Sequence, residues 1–392
     1  MKHAVVIGSG PAGLMAAQVL AQAGIAVTVC EAKPSVGRKF LMAGKSGLNI
    51  TKVEEAGAFQ AGYTDAAPWL APMLAGFGPD AVQDWARDLE QELFTGSTGR
   101  VFPVAMKASP LLRALLARLA ALGVTFNTRW RWTGISEGAV SFDTPDGTQT
   151  LQPDATILAL GGASWRRLGS DGQWADILAP LGVPLTPFAA ANAGVAVEWS
   201  DYMGKHLGTA LKGIALKSGP YTSRGEAVLS RAGLEGGGVY SVSRGVREGH
   251  RLSIDLAPDL EMAAVAAKLS KPRGKATLTS HIRKALHLDA AKIALLQEMA
   301  MPLPSEPKAL AALIKSVRIK NNGLRPMDEA ISTAGGIAQA GLDEALMIKA
   351  LPTVYATGEM LDWEAPTGGY LITACLATGA WAGHHAAARL LA

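Results

Sequence analysis

The stretch AVVIGSGPAGLMAAQVLAQAGIAVTVCE, residues 4–31, decides the fold of this chain. A short apolar run precedes the turn Gly8-Ser9-Gly10-Pro11-Ala12-Gly13, a helix-forming segment follows it, and a second apolar run ends at Glu31. In such a βαβ unit one glycine makes the tight turn, one admits a pyrophosphate and one lets the helix pack on the strand. The helix N-terminus adds amide donors, and the Glu31 carboxylate can accept both ribose hydroxyls. We therefore predict a dinucleotide-binding site.

The residues after Glu31 distinguish a flavin from a nicotinamide dinucleotide. Ala32-Lys33-Pro34-Ser35-Val36-Gly37-Arg38-Lys39 is a Gly- and Arg-bearing loop, whereas a simple dehydrogenase would continue into another helix. A loop that runs back over the pyrophosphate suits the longer FAD, which we expect to bind non-covalently through residues that include Ala32, Lys33 and Gly37. Arg38 and Lys39 are candidates for contacts to phosphate or to the flavin pyrimidine ring, and solvated loop charges are the alternative.

Two later strand ends carry further candidates. Residues 155–162 and 353–358 are both apolar runs that end in glycine, which lets a strand end pass close to a cofactor. The second leads into a long apolar helix, whose first amides can face the flavin N1/C2=O edge, where negative charge gathers on reduction. The remaining predicted cofactor-binding residues are Ser46, Asn49, Gly161, Gly162, Gly358, Glu359, Gly368, Gly369 and Tyr370.

The periodicity of the apolar residues divides the chain into three parts. Buried-strand and helix patterns at both ends predict a discontinuous FAD-binding domain over residues 1–188 and 318–392. Short strands and Gly-rich turns predict an inserted β domain over residues 189–258, and helical patterns predict a small helical insert over residues 259–317. The predicted fold class is α/β, a Rossmann-like flavoprotein of the two-dinucleotide-binding-domain type, interrupted by these insertions.

Composition limits the compartment and the chemistry. With 2 Cys in 392 residues there is no disulfide framework, and both cysteines lie in apolar runs typical of buried, inert thiols. The N-terminus has no secretory pattern, and polar residues interrupt the apolar C-terminal stretch, so we expect a cytoplasmic protein without stable membrane association. We predict no metal site, since His384 and His385 are adjacent on a helix and point about 100° apart. The run Gly44-Lys45-Ser46 lacks the first glycine of an NTP-binding loop.

The net charge of +4 is not evenly spread. Between residues 259 and 320 eleven Lys and Arg face five Asp and Glu, a local balance of +6. This segment predicts an anionic partner, either a small molecule or RNA, and a solvated helical face is the alternative.

Several motifs, taken together and in order, resemble the bacterial HI0933-like flavoprotein family, also grouped as NAD(P)/FAD-dependent oxidoreductases of the aminoacetone oxidase type. The motifs are residues 8–13, 37–39, 99–103, 160–162, 325–326, 329–330, 333–336, 358–362 and 367–370. Some family members have been assigned as reductases of conjugated C=C bonds, including a bile-acid enone reductase and an enzyme that makes dihydrouridine in ribosomal RNA. Where the family commonly has Arg-Cys this chain has Gly47-Leu48, and with residues 93–99 this departure indicates a distinct subgroup.

The resemblance and the motifs together predict an FAD-dependent oxidoreductase. We expect NAD(P)H to reduce the flavin and an activated C=C bond to accept the hydride. Because no second Rossmann turn is present, NAD(P)H would dock transiently. The candidate catalytic residues are Tyr370, Arg100 and Lys107. The alternatives are an RNA-binding flavoenzyme that reduces a uridine in ribosomal RNA and a flavin-binding protein without fast turnover.

Overall fold

The computed structural model describes residues 2–44 and 47–392, which form two compact units. The first unit comprises Met1–Ala189 and Ser332–Ala392, and the second comprises Ala190–Ile331. The segments predicted as a β domain and a helical insert therefore belong to one unit. The chain returns to the first unit at Ser332, later than the predicted boundary at residue 318, because β17 (Val317–Arg318) pairs with β16 (Leu252–Asp255) in the second unit.

The strands of the described chain follow in order. They are β1 His3–Ile7, β2 Ala26–Glu31, β3 Thr51–Lys52, β4 Leu93–Thr95, β5 Arg100–Pro103, β6 Thr125–Thr128, β7 Arg131–Ser136, β8 Ala139–Thr144, β9 Gly147–Leu151, β10 Ala155–Leu158, β11 Leu185–Ala191, β12 Val195–Ala196, β13 Ala210–Ser218, β14 Tyr221–Ser230, β15 Gly233–Glu235, β16 Leu252–Asp255, β17 Val317–Arg318, β18 Ser332–Ile337 and β19 Val354–Ala356. The helices are α1 Pro11–Gln22, α2 Arg38–Ala43, α3 Ala56–Ala61, α4 Ala67–Gly76, α5 Pro79–Asp88, α6 Ala108–Ala121, α7 Trp174–Leu178, α8 Gly237–Tyr240, α9 Ser243–Arg247, α10 Met262–Leu269, α11 Leu278–Leu286, α12 Ala290–Ala300, α13 Pro307–Lys315 and α14 Tyr370–Leu391.

A parallel five-stranded sheet forms the centre of the first unit. Its strand order is β19-β10-β1-β2-β6, so the chain leaves the sheet and returns to it through crossovers. Strands β1, β10 and β19 are almost entirely buried, as expected for a parallel sheet covered on both faces. The predicted α/β, Rossmann-like fold class is thus confirmed.

Helices α1 and α14 pack closely because small residues line their contact. A Cβ built on Gly379 in α14 would lie 2.3 Å from the carbonyl oxygen of Ala12 in α1. Gly383 approaches Ala16 and Val19 in the same way, so the two helices run in the same direction, and α14 begins more than two turns before its contact with the start of α1. None of the described helices has the length and apolar character needed to span a membrane.

Small sheets accompany the central sheet of the first unit: β11 pairs with β18, and two further sheets are antiparallel. One is a meander with order β7-β8-β9, and the other has order β3-β5-β4. The second of these places Lys52 opposite Arg100 and Phe94 opposite Phe102.

The second unit contains a six-stranded antiparallel sheet with order β12-β15-β14-β13-β16-β17, and helices α8 to α13. Two of the basic residues between positions 259 and 320 are not part of an exposed basic surface. Lys292 is buried and donates to the carbonyls of Gly213 and Leu256 at 3.1 and 3.2 Å, and desolvation lowers its pKa. Lys315 pairs with Asp255 at 2.6 Å. These two cations are part of the packing of the unit and are not available to a partner.

Candidate functional site

The three glycines of the first turn have different surroundings. Gly8 has a φ of +105°, and a Cβ there would lie 2.2 Å from the carbonyl oxygen of Ala159. A Cβ on Gly13 would lie 2.1 Å from the carbonyl oxygen of Gly8. A Cβ on Gly10, by contrast, meets nothing within 4 Å, and Gly10 caps α1 directly before Pro11. Gly8 and Gly13 are therefore needed by the fold itself, while Gly10 leaves open space at a helix N-terminus, where a phosphate can bind.

Glu31 ties the turn to the loop that follows β2. Its carboxylate accepts hydrogen bonds from the Ser9 hydroxyl at 2.5 Å, the Ser9 amide at 3.2 Å and the Lys33 amide at 2.8 Å. The amide of Gly37 donates to the same Ser9 hydroxyl at 3.2 Å. These bonds hold the Glu31 carboxylate beside the turn, at the place where the ribose of a dinucleotide is recognised in Rossmann folds.

Lys39 is directed towards the protein interior. Its ammonium donates to Glu359 at 2.6 Å, to the Ser164 hydroxyl at 2.9 Å and to the Ser170 hydroxyl at 3.3 Å. The side chains of Lys39 and Glu359 are 28% and 13% exposed. These bonds use all three N–H donors of Lys39. They therefore indicate a structural role and not the predicted contact to phosphate or flavin.

The same hydrogen-bond network continues into the strand ends that the sequence singled out. The second Glu359 oxygen accepts from the Thr333 amide at 3.1 Å, and the Thr333 hydroxyl accepts from the amides of Ala163 and Ser164 at 2.8 and 3.1 Å. A Cβ on Gly162 would lie 2.5 Å from that of Thr333, so the strand end after β10 packs tightly there. Ser164, Ser170 and Thr333 were not predicted, although Thr333 lies in one of the family-like motifs.

The Gly-rich turn before α14 reaches back to β3. Gly368 and Gly369 have φ values of +115° and +102°. A Cβ on Gly369 would lie 2.5 Å from Cα of Thr51 and 2.6 Å from Oδ1 of Asn49. The positive φ of both positions favours glycine, and a side chain on Gly369 would also collide with β3. The close approach at Gly369 brings Asn49 and the N-terminus of α14 together.

Three buried polar atoms near these motifs test whether the residues fit FAD. Nε of Arg38, Oδ1 of Asn49 and Oγ1 of Thr357 are buried and lack a hydrogen-bond partner within the described residues. Buried polar groups are nearly always satisfied, so unpaired ones indicate a missing polar ligand. Together with the open space at Gly10, the residues present fit a long, polar dinucleotide.

Tyr370 belongs to a cluster of ionisable groups that the sequence did not predict as a set. Lys52 donates to the Tyr370 hydroxyl at 3.1 Å and to Glu54 at 2.5 Å, and the Tyr370 hydroxyl also bonds Glu54. Burial, together with the Glu54 contact, raises the pKa of Tyr370. Burial opposes the charge on Lys52, but the bonds to Glu54 and Tyr370 outweigh it and raise the pKa of Lys52. At neutral pH the cluster therefore holds a neutral phenol beside a lysine ammonium.

The Tyr370 ring is fixed by its neighbours. It stacks on Phe59 with ring centroids 4.7 Å apart, and its backbone carbonyl accepts a 2.8 Å hydrogen bond from Tyr63. The other two catalytic candidates differ in position. Arg100 lies against the turn before α14, with Nε 3.1 Å from a Cβ built on Gly368, whereas Lys107 is exposed at the start of α6. Ser46 lies outside the described residues.

The two cysteines are poor nucleophiles. Burial raises the pKa of both thiols to about 12, with the Glu359 carboxylate reinforcing the effect at Cys375. Both thiols are therefore neutral at physiological pH. Within the described part of the chain no group of three or more His, Cys, Asp or Glu residues could hold a metal ion.

The model of the HI0933-like protein Rossmann domain matches residues 2–385. The chain belongs to the HI0933-like family. A relative from Clostridium scindens, named 3-dehydro-bile acid delta(4,6)-reductase, is 25% identical over 99% of this chain and 100% of its own length. The ribosomal RNA dihydrouridine synthase of Escherichia coli is 22% identical over 94% of this chain and 93% of its own length. The expected family resemblance is confirmed.

Solved structures support the fold of this HI0933-like chain. A 3-ketosteroid delta1-dehydrogenase from Sterolibacterium denitrificans superposes with a TM-score of 0.57 at 12% identity, covering 99% of this chain and 100% of that chain. At this identity the likeness concerns the fold alone. We call the region of Gly10, Arg38, Asn49 and Thr357, whose open backbone and unpaired atoms fit a dinucleotide, the cofactor cleft. Family membership and the fit of these residues together make this chain an FAD-dependent oxidoreductase.

Proposed function

We propose that this HI0933-like protein is an NAD(P)H-driven reductase of an activated C=C bond. The observation that carries the proposal is the cluster of Tyr370, Lys52 and Glu54 beside the Gly368-Gly369 turn. Reduction of a conjugated C=C bond adds one hydride and one proton, so a site for this reaction needs an acid next to the cofactor cleft. The Tyr370 phenol is held in place by its neighbours and can regain a proton from Lys52, so it can serve as this acid.

Different residues would bind different parts of FAD. The open backbone at Gly10 and the N-terminus of α1 would hold the pyrophosphate, and Glu31 would hold the adenosine ribose. The unpaired atoms of Arg38 and Asn49 would bind polar groups further along the cofactor. When bound, FAD supplies the hydride transfer between the nicotinamide donor and the substrate.

The proton step follows from the bonds around Tyr370. The Tyr370 hydroxyl turns from Glu54 to the substrate and gives its proton to the carbon next to the activating carbonyl. The Lys52 ammonium, 3.1 Å away, replaces that proton and then regains one from water, which reaches its 26% exposed side chain. The bond from Lys52 to Glu54 raises the pKa of Lys52 and so keeps it charged between turnovers.

The name of the Clostridium scindens relative supports reduction of a C=C bond, since it is a delta(4,6)-reductase. NAD(P)H as the donor is part of the proposal, and because the sequence contains no second Rossmann turn, NAD(P)H would dock transiently.

The test separates the two halves of the reaction. Purified holoprotein is mixed anaerobically with NADH or NADPH, and bleaching of the flavin absorbance is timed; the reduced protein is then mixed with a small cyclic enone. Tyr370→Phe should slow reoxidation by the enone about 10²-fold or more, the usual worth of a general acid, and leave bleaching unchanged. Tyr202→Phe, which removes an exposed hydroxyl in the second unit, is the control. The proposal fails if neither nicotinamide bleaches the flavin, or if Tyr370→Phe reoxidises at the parent rate.

One observation favours RNA as a second candidate substrate. Lys271, Arg273 and Lys275 are all exposed in the loop between α10 and α11, and the Escherichia coli relative is named for a ribosomal RNA substrate. Charge reversal at the three positions should weaken RNA binding and flatten its dependence on salt, because fewer counterions are released. Unchanged binding of a ribosomal RNA pool across a salt series would leave these cations as a solvated surface.

A further inference from the structure

The sheet β3-β5-β4 has one face in the core and one face outward. Thr51 and Val101 are opposite each other and fully buried. Because neighbouring residues of a strand point to opposite faces, Lys52, Arg100 and Phe102 point the other way. This outward face borders the Gly368-Gly369 turn, since Arg100 lies against Gly368 and Lys52 reaches Tyr370.

The outward face carries an aromatic pair, of which Phe94 is exposed and Phe102 is half-buried. Phe94 and Phe102 are opposite each other, with ring centroids 5.5 Å apart and ring planes inclined by 21°. Phe94 is 42% exposed, and the neighbouring Met106 is 39% exposed. Met106 and Phe102 both approach Gly47, with side-chain atoms 2.7 and 4.0 Å from a Cβ built there. Single exposed apolar residues are common, but a contiguous group beside a cofactor cleft marks a binding surface.

The same face carries an unpaired cation. Arg100 is exposed and makes no ion pair with any residue in the described part of the chain. Lys52, opposite it, is already paired with Glu54. Among the described residues of this face, Arg100 is therefore free to bind an anion, and its planar guanidinium suits a carboxylate, sulfonate or phosphate.

We propose that this outward face is the substrate-binding surface of the proposed reductase and that it selects a flat, apolar molecule with an anionic group. Phe94 and Phe102 bind the apolar body, and Arg100, which lies between Phe102 and the Gly368-Gly369 turn, binds the anion. The inference rests on the proposed function in naming the ligand a substrate, and it adds the substrate class. Charge complementarity with Arg100 and the flat aromatic stack favour this occupant over a second copy of the chain or a lipid surface.

The experiment uses the FAD-loaded protein and two dyes that differ by one charge. 1-Anilinonaphthalene-8-sulfonate has a flat aromatic body with a sulfonate, and N-phenyl-1-naphthylamine has the same body without it. Dissociation constants are measured by dye fluorescence at low and high salt. Arg100→Gln should raise the dissociation constant of the sulfonate dye about fivefold to tenfold and leave that of the neutral dye within twofold of the parent. Arg100→Lys should restore part of the affinity for the sulfonate dye. Phe94→Ala should weaken both dyes about fivefold.

The controls separate this surface from others. Met262→Ser removes an exposed apolar side chain of the second unit, 51% exposed, and should change neither dye. Retained flavin absorbance shows that each variant is folded, and Phe94→Leu provides a milder variant if Phe94→Ala loses FAD. Because dye binding needs no turnover, expected dye results without bleaching by NADH or NADPH would retain the surface and reject only the proposed function.

Three results would overturn the inference. The first is that Arg100→Gln and Phe94→Ala bind the sulfonate dye within twofold of the parent. The second is a dimer of the parent protein that dissociates in Phe94→Ala, since a second copy would then cover the face. The third is binding of the parent to phosphatidylcholine–phosphatidylglycerol vesicles that Phe94→Ala abolishes, since the occupant would then be a lipid surface.

Discussion

Replacing Lys39 by Met should destabilise the first unit by about 2 to 3 kcal/mol. The change keeps a side chain of similar length but removes three hydrogen bonds, and it leaves Glu359, 13% exposed, with the Thr333 amide but without a counter-charge. Removing one partner of a fully buried pair costs about 3 to 5 kcal/mol, and we discount that range because water reaches the 28% exposed Lys39 side chain.

A double-mutant cycle tests whether the loss comes from the pair. Glu359→Gln removes the carboxylate charge, so the double variant should lose about 1 to 2 kcal/mol less than the sum of the single variants. Lys2→Met is the matched control, because it breaks an exposed pair with Asp154 at 3.5 Å and should cost less than about 1 kcal/mol.

The assay is denaturant unfolding followed by the release of flavin fluorescence, with the same excess of FAD for every variant, since bound ligand adds to apparent stability. The pair does not stabilise the site if Lys39→Met lowers the free energy of unfolding no more than Lys2→Met does. The same conclusion follows if the losses of unfolding free energy at Lys39 and Glu359 are additive.

Three further predictions concern the cleft and the thiols. Gly10→Ala should leave the melting temperature of the apoprotein within about 2 °C of the parent, because this position has open space, but it should lower the FAD affinity measured by titration; Gly8→Ala should lower the melting temperature itself. Glu31→Gln should weaken FAD by about 1.5 to 3 kcal/mol through loss of charge, and equal FAD occupancy on dilution would contradict this. Because the folded pKa of Cys30 and Cys375 is raised to about 12, alkylation by iodoacetamide at pH 9 should be on the order of 10³-fold slower in the native than in the unfolded chain.

The fold of the first unit was predictable because its signals are local. The turn Gly8-Ser9-Gly10-Pro11-Ala12-Gly13 and the apolar strands beside it combine periodicity with glycines that the structure requires. The boundary of the second unit was less predictable, because β17 has only two residues, Val317 and Arg318, and its pairing with β16 joins segments far apart in sequence. Strands that short give no periodic signal.

The cofactor motifs could be found from sequence, but the contacts between them could not. Lys39 and Glu359 were each predicted to meet FAD, whereas the structure pairs them with each other across 320 positions. In the sequence Lys39 follows a glycine and an arginine in a predicted loop, the setting of a phosphate-binding cation, whereas the structure places it in the first turn of α2. Nothing local indicates a partner so far along the chain. Lys39 follows β2 and Glu359 follows β19, two strands of the same parallel sheet, and the segments after these strands meet at one end of that sheet.

The substrate side of the site depends on a strand of two residues. Thr51 and Lys52 form β3, and their register against Val101 and Arg100 decides that Lys52 and Arg100 share one face. A slip of one residue would turn Lys52 into the core and away from Tyr370, since the side-chain period of a strand is two. The close approach of Gly369 to Cα of Thr51 opposes such a slip. The turn that brings the N-terminus of α14 to the cleft therefore also fixes which residues face the substrate.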